Sequence, residues 1–356
     1  MPVLPSVTMP AEEQSTSSVK CVVWDLDNTL WRGVYLENDD LVVDDHVRRT
    51  IATLDERGIL HSIASRNPVE VLDRVAAFGL AGYFLYPQVG WGEKTEAIVR
   101  ISESLRIPLD ALLFIDDDDL ELAAMRETHP QVRCCSVGDL PSLIDRDDLN
   151  PSVVSDDARN RRSLYRAEEL RARDESAFTG AKIDFLRKLG MRLTIRRAAQ
   201  DDLDRAAELT LRTHQLNTTG IVYSREELDA FLSSPQHHLL VCTLDDVYGT
   251  YGTIGLVMLR CTDESWTIDL LSFSCRVLSR NVAGTVVRTI LQRAAQSEAA
   301  DVRVRLVPTD RNRPVVVTFR LLGFSKLMAG EEWSLYRHDL KQLQPRPDYI
   351  DIDECW

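Results

Sequence analysis

Through the first 145 residues, short apolar runs alternate with amphipathic stretches of helical period. Val19 to Trp24 is a mostly apolar run that predicts a strand buried on both faces. It is followed by a helix near Val47 to Arg57, a strand over Ile59 to Ala64, a helix over Val69 to Phe78 and a short strand at Phe84 to Tyr86. Ala97, Ile98, Ile101 and Leu105 then mark one face of a helix, Leu112 to Ile115 a further strand and, after another helix, Val132 to Cys135 the last strand. Strictly alternating strands and helices predict an α/β fold, a parallel sheet with crossover helices, over 19–145.

The pattern then changes. Asp145 to Arg173 is rich in Asp and Arg, contains Pro151 and shows no long apolar repeat before Phe178, so 146–190 reads as a linker that turns helical toward its end. From Met191 to Leu340 the order is strand (Leu193 to Ile195), helix (Leu203 to Leu211), strands over Leu239 to Leu244, Ile254 to Leu259 and Trp266 to Cys275, helix (Val282 to Ala295), strand (Val302 to Val307) and helix (Val315 to Leu322) closed by Gly323. This predicts a separate α+β domain. Residues 1–18 and 341–356 read as tails, and a length of 356 residues agrees with two cores.

The candidate chemistry sits at strand ends. Asp25 and Asp27 follow the first strand, where open α/β sheets bind ligands. The first carboxylate is placed to attack phosphorus and the second to shuttle the leaving-group proton. Ser65-Arg66-Asn67 ends the next strand with a hydroxyl and backbone N–H groups for a phosphate oxygen. Lys94 stands at a helix start, able to neutralise a phosphoryl group. Asp116 and Asp117 end the fourth strand, where a carboxylate can join Asp25 and a backbone carbonyl around a hard cation such as Mg²⁺. Four adjacent carboxylates, Asp116 to Asp119, repel one another unless a cation is present. Asp118 and Asp119 read as a solvated loop.

This order resembles the haloacid-dehalogenase (HAD) superfamily of phosphatases and phosphotransferases. The resemblance implies Asp25 as nucleophile, Asp27 as general acid/base, Ser65 and Lys94 as phosphate holders, Thr29 and Asn67 beside the substrate, and Mg²⁺ held by Asp25, Asp27, Asp116 and Asp117. Only about one helix and its loops separate successive motifs, so there is room for no more than a minimal cap. An uncapped site must be closed by a macromolecular substrate or a neighbouring domain, which favours a protein-bound substrate.

Net charge and cysteine use narrow the setting. A formal charge of −14 argues against nucleic acid or an anionic membrane as partner. Seven cysteines without metal-type spacing, in a chain with no recognisable leader, suggest reduced thiols and a cytoplasmic location.

The second domain resembles the GNAT acyltransferases, whose turn after the central strand binds the coenzyme A pyrophosphate through backbone N–H groups. The matching stretch, Arg280 to Thr285, has Ala283 and Thr285 where that pattern wants glycine, and each adds a Cβ where phosphate must approach. Longer stretches point further. Lys20 to Trp24 with Asp25 to Trp31, Ile63 to Asn67, Arg212 to Asn217, Ser274 to Arg280, and Pro308-Thr309 with Asn312-Arg313 resemble the FkbH-like family over nearly the whole chain after residue 18.

That resemblance implies a glyceryl transferase/phosphatase. Such an enzyme takes 1,3-bisphosphoglycerate, removes both phosphates and loads the glyceryl unit onto the phosphopantetheine thiol of an acyl carrier protein for polyketide (methoxymalonyl-type) biosynthesis. Relatives often carry Cys where this chain has Leu26, and a Gln- or Asn-Pro then Glu-Arg where it reads Asp118 to Leu122. Cys275, at the end of an apolar strand and beside the cation Arg276, is then the leading thiol for a covalent acyl intermediate. A small buried residue is the competing reading for it. Gln215, Asn217, Thr309 and Asn312 suit a pantetheine arm or glyceryl hydroxyls, and equally turns and caps. The alternatives are a small-molecule phosphatase joined to an independent acyltransferase, or to a domain that only docks the carrier.

Overall fold

A computed structural model describes residues 18–151, 154–213, 215–330 and 333–356, so nearly all of the tail expected over 1–18 lies outside the described residues. The chain divides into two compact units at residues 152/153.

The first unit is built on β1 (Cys21–Trp24), β2 (Leu60–Ser65), β3 (Gln88–Val89), β4 (Leu112–Asp116) and β5 (Arg133–Ser136). These form one sheet in the order β3-β2-β1-β4-β5, every pair parallel. The crossovers are α1 (Asp45–Glu56), α2 (Val71–Ala77), α3 (Lys94–Leu105) and α4 (Asp119–Thr128). β1 and β4 carry runs of fully buried residues, as strands covered on both faces must. The chain winds outward from β1 in one direction and resumes at β4 in the other, so a topological switch point lies between their carboxyl ends. Register fixes what meets there. Trp24 stands beside Ile63 on one side and Ile115 on the other, which brings the next residue, Asp25, level with the ends of β2 and β4. The segment between β1 and α1 is a short excursion closed by a bridge from Arg32 to Val42, in keeping with a minimal cap. The short strand expected at Phe84 to Tyr86 is displaced to β3, because Phe84 makes only an isolated bridge to His61.

The described residues of the expected linker, 146–151 and 154–190, are folded. Arg146 to Leu149 belong to the first unit, where Asp148 accepts from Val19 N, Arg57 reaches the Leu149 carbonyl and Leu149 is fully buried. α5 (Asp156–Arg159), α6 (Arg161–Ala177) and α7 (Lys182–Lys188) belong to the second. Helix α6 buries charge, Arg161, Glu168 and Arg171, alongside Leu164 and Tyr165. Its Arg171 is fully buried, bidentate to Asp246 and stacked 3.7 Å over the Tyr251 ring.

The second unit holds β6 (Met191–Arg197), α8 (Leu203–Arg212), α9 (Arg225–Leu232), β7 (His237–Asp246), β8 (Gly249–Cys261), β9 (Ser265–Phe273), α10 (Val282–Gln296), β10 (Asp301–Leu306), α11 (Arg313–Leu321), β11 (Ser325–Ala329), β12 (Ser334–His338) and β13 (Ile350–Cys355). Its eight-stranded sheet runs β11-β12-β10-β9-β8-β7-β6-β13 and is antiparallel except at β9/β10 and β6/β13. The expected C-terminal tail therefore supplies an edge strand, with Ile350 beside Met191 and Cys355 beside Arg196.

β9 and β10 pair only from Ser265/Asp301 to Ile268/Val304 and then part. The chain itself fills the opening. Thr218 N donates to the Leu271 carbonyl (3.0 Å), Phe273 N to the Leu216 carbonyl (2.8 Å) and Val307 N to the Thr218 carbonyl (2.9 Å). β9 ends at Phe273, so Cys275 opens a short 3-10 turn, Cys275–Arg280, rather than closing a strand as expected. None of the seven cysteines is in a disulfide, and among the described residues no helix is long and apolar enough to cross a membrane.

Candidate active site

At the switch point, Asp25 leaves β1 with its backbone N–H donating to the Ile115 carbonyl (3.0 Å), which fixes it beside Asp116. Lys94, the first residue of α3, reaches in from the flank. Its Nζ donates to Asp116 at 2.7 Å and lies 3.0 Å from Asp25 Oδ1. All three groups are buried, Asp25 to 5%, Lys94 to 6% and Asp116 to 0% exposure, so their charges act in a poorly solvated space. Ser65, at the end of β2, hydrogen-bonds Asp25. Asp117 is exposed and accepts from Thr29 Oγ1 (3.3 Å).

Burial pushes the Asp25 carboxyl up to about 6; Lys94 opposes this and Asp116 adds to it. Burial likewise raises Asp116, against the pull of Lys94. Burial alone would lower Lys94, but Asp25 and Asp116 hold its ammonium above the ordinary range. A single cation thus faces more carboxylate than it neutralises.

The carboxylates of Asp25, Asp116 and Asp117 lie within 4.8 Å of one another. Three hard oxygen donors around an under-neutralised site fit a divalent cation such as Mg²⁺. The Asp27 carboxylate, expected among the ligands, is outside this group because three donors occupy it. Trp31 Nε1 and Tyr35 N donate to Oδ1, both at 3.0 Å, and Asn67 Nδ2 donates to Oδ2 at 3.0 Å. Asn67 also donates to Ser65 Oγ (3.2 Å), while its buried Oδ1 has no hydrogen-bond partner among the described residues. Beside them a cavity of about 50 Å³ is lined by Ser65, Gly90, Gly92, Lys94 and Arg100.

The sequence-predicted residues Asp25, Asp27, Thr29, Ser65, Asn67, Lys94, Asp116 and Asp117 thus converge. Trp31 and the Tyr35 amide, which orient Asp27, were not foreseen; an indole four residues past an aspartate was the available signal. Asp118 is the N-cap of α4, accepting from Leu120 N (2.8 Å), rather than a free loop residue.

In the second unit Asn217, Thr309 and Asn312 meet, but through hydrogen bonds to one another's backbone. Asn217 and Asn312, each 1% exposed, are spent on the fold. Asn217 accepts from Thr219 N and Gly220 N, while Asn312 Nδ2 donates to the carbonyls of Asn217 and Val307. They hold the segment that fills the β9/β10 opening, the turn and cap role that the sequence left open beside substrate binding. Gln215 and Thr309 are exposed, and Cys275 is partly exposed. The first turn of α10 is packed inside: Val282, Ala283 and Thr285 are buried, and Arg280 is turned onto Glu175 (2.7 Å).

Strand order, register and the strand-end carboxylates define an open parallel-sheet α/β domain with an acidic switch point, followed by a mostly antiparallel α+β domain. No protein-family model and no curated protein matches the chain. Among solved structures, the N-terminal part of protein BF1531 from Bacteroides fragilis, which contains a phosphatase domain and is complexed with Mg, aligns at 25% identity with a TM-score of 0.32. That alignment covers 38% of this chain and 41% of the other, so less than half of that protein's length is spanned. The ribosomal-protein-S18-alanine N-acetyltransferase of Escherichia coli aligns at 9% identity over 42% of this chain and 95% of its own, with a TM-score of 0.34. The PaiA N-acetyltransferase of Thermoplasma acidophilum, in complex with coenzyme A, aligns at 12% identity over 41% and 98%, with a TM-score of 0.32.

Proposed function

We propose that this protein is a Mg²⁺-dependent phosphatase/acyl transferase. In this reading it dephosphorylates 1,3-bisphosphoglycerate in the cytoplasm and loads the glyceryl unit onto the phosphopantetheine thiol of an acyl carrier protein, for polyketide extender-unit biosynthesis. The observation that carries the phosphatase half is Lys94 bridging Asp25 and Asp116 at the sheet's switch point, with Asp117 close enough to share a cation. The glyceryl and carrier half rests on the family resemblance of the sequence motifs.

Asp25 attacks the phosphorus of the C3 phosphate ester, forming an aspartyl phosphate as the bond to the C3 oxygen breaks, and Asp27 gives that oxygen a proton; the C1 acyl phosphate is expelled as inorganic phosphate when the carrier thiol, losing its proton to solvent, attacks the carbonyl. Water then cleaves the aspartyl phosphate, returning a proton to Asp27. Lys94 and the Ser65 hydroxyl hold phosphoryl oxygens, while Asn67, Trp31 and the Tyr35 amide orient Asp27. A bound Mg²⁺ supplies charge neutralisation for the phosphoryl group.

The opening between β9 and β10, occupied by Leu216 to Thr219, favours a second domain that handles or docks the carrier over an independent coenzyme A-dependent acyltransferase. Intact-mass analysis of a phosphopantetheinylated carrier incubated with 1,3-bisphosphoglycerate and the protein tests the whole reading. A glyceryl gain on the carrier is expected. Release of phosphate with an unchanged carrier would leave a small-molecule phosphatase.

A further inference from the structure

In the second unit a cavity of about 800 Å³, open to solvent, is lined by α11, the loop before it, β11 and β12. Helix α11 contributes Arg313, Val316, Val317 and Arg320 to its wall, and β12 contributes Tyr336. Arg313 and Arg320 are exposed, and Asp310 is the single carboxylate among the described lining residues. Arg320 donates to the neutral Tyr336 hydroxyl at 3.3 Å, and the Arg313 guanidinium meets no carboxylate among the described residues. Lys326 of β11 also lines the cavity. The connection from β11 to β12 holds Glu331 and Glu332, outside the described residues, so α11 alone supplies the cations used below.

The same helix shows hydrocarbon to solvent. It turns Val315 and Phe319 inward and leaves Val317 and Leu321 outside, 51% and 71% exposed. The strand that follows, β11, is the edge of the sheet and is exposed along its whole length, Leu327 and Met328 included. A single exposed apolar residue is ordinary; four on two consecutive elements, beside a cavity with arginines in its wall, mark an interaction surface. In a chain of formal charge −14, a basic apolar face is complementary to an acidic partner.

Spacing defines that partner further. Arg313 and Arg320 lie two turns apart on one side of α11, about 10 Å along its axis, with Val317 between them. A second helix laid alongside α11 meets them with carboxylates at i and i+7 and with apolar side chains at i+3 and i+4. We propose that the groove between α11 and β11 docks an acidic amphipathic helix of a partner protein, its carboxylates on Arg313 and Arg320 and its apolar stripe on Val316 and Val317. No residue of the phosphatase site takes part, so the groove stands or falls apart from that reading.

The test is fluorescence anisotropy of the full chain with three labelled peptides of equal length: an acidic amphipathic helix with this spacing, its scrambled form, and a form with Lys in place of Glu. The first is expected to bind at least about tenfold more tightly than the other two and to weaken as salt rises. Arg313→Glu and Arg320→Glu should each weaken it about tenfold. Arg313 opens α11, where a glutamate favours the helix, so Arg313→Glu keeps the test sound should Arg320→Glu fail to melt cooperatively. Equal affinity for the acidic helix and its scrambled form would reduce the face to a sink for anions and overturn the helix. No binding of any peptide, or binding unchanged in both variants, would overturn the groove. Sedimentation velocity of the protein alone closes the test: a dimer dispersed by Arg313→Glu would give the groove to a second copy and overturn the partner helix.

Discussion

Two carboxylates, Asp25 in the first unit and Glu208 in the second, are almost equally hidden, at 5% and 4% exposure, and their surroundings drive them in opposite directions. Asp25 is raised to about 6 because burial, helped by Asp116, outweighs the single ammonium of Lys94. Burial also raises Glu208, but Arg205, Arg161 and Arg212 reverse the shift and hold it far below the carboxylate range. Burial alone therefore says little about a buried acid. The ratio of charges around it separates a site short of a cation from one where several guanidiniums face the acid.

Replacing the reactive carboxylate is expected to produce the largest effect. Asp25→Asn, which keeps shape and removes the nucleophile, should cut phosphate release by at least about a thousandfold; turnover near that of the wild type would remove Asp25 from the chemistry. Cation dependence comes next. Phosphate release should disappear in excess EDTA and return with Mg²⁺, whereas full activity in EDTA would leave the Asp25, Asp116 and Asp117 group without a metal role.

Stability gives a smaller but sharper contrast. Glu208→Gln strands Arg161, Arg205 and Arg212 without their shared partner and should cost about 3–5 kcal/mol in denaturant unfolding. In EDTA at pH 7.5, Asp25→Asn should be neutral or stabilising by about 1–3 kcal/mol, since it removes a charge that burial disfavours. Comparable destabilisation by both substitutions would break the contrast.

The smallest expected effect is on pH dependence. A raised folded-state pKa means that the native protein holds more protons than the unfolded chain between the ordinary aspartate value and about 6, so this contribution to stability falls as pH rises through that window. Without metal, the gap between wild type and Asp25→Asn should close as pH drops from 7 to 4. Glu208 has the opposite sign: its stabilisation is present above the ordinary glutamate value and is lost only as pH falls below it. The wild-type advantage over Glu208→Gln should therefore persist to about pH 5 and narrow beneath it.

The first site was legible because its strands are short, continuous apolar runs that end in carboxylates, and a parallel sheet gathers strand ends at one edge. The second unit was legible in its central strands and in α8 and α10. α6 was hidden because its inward positions are Arg161, Glu168 and Arg171 as well as Leu164 and Tyr165, so no apolar repeat of helical period stands out. β13 alternates Ile350 and Ile352 with Asp351 and Asp353 on a sheet edge, a pattern that also suits an exposed tail. Asn217 and Asn312 look alike as structural or substrate-binding residues in sequence. Only the backbone groups they meet decide, and one of these, the Asn217 carbonyl that Asn312 meets, lies 95 residues away along the chain.

The most direct measurement is a rapid acid quench of the protein with Mg²⁺ and 1,3-bisphosphoglycerate, followed by peptide mapping. The account predicts one phosphoryl group on the peptide containing Asp25, absent in Asp25→Asn. Phosphate release with the phosphoryl group on another residue, or with no covalent species at any quench time, would contradict it.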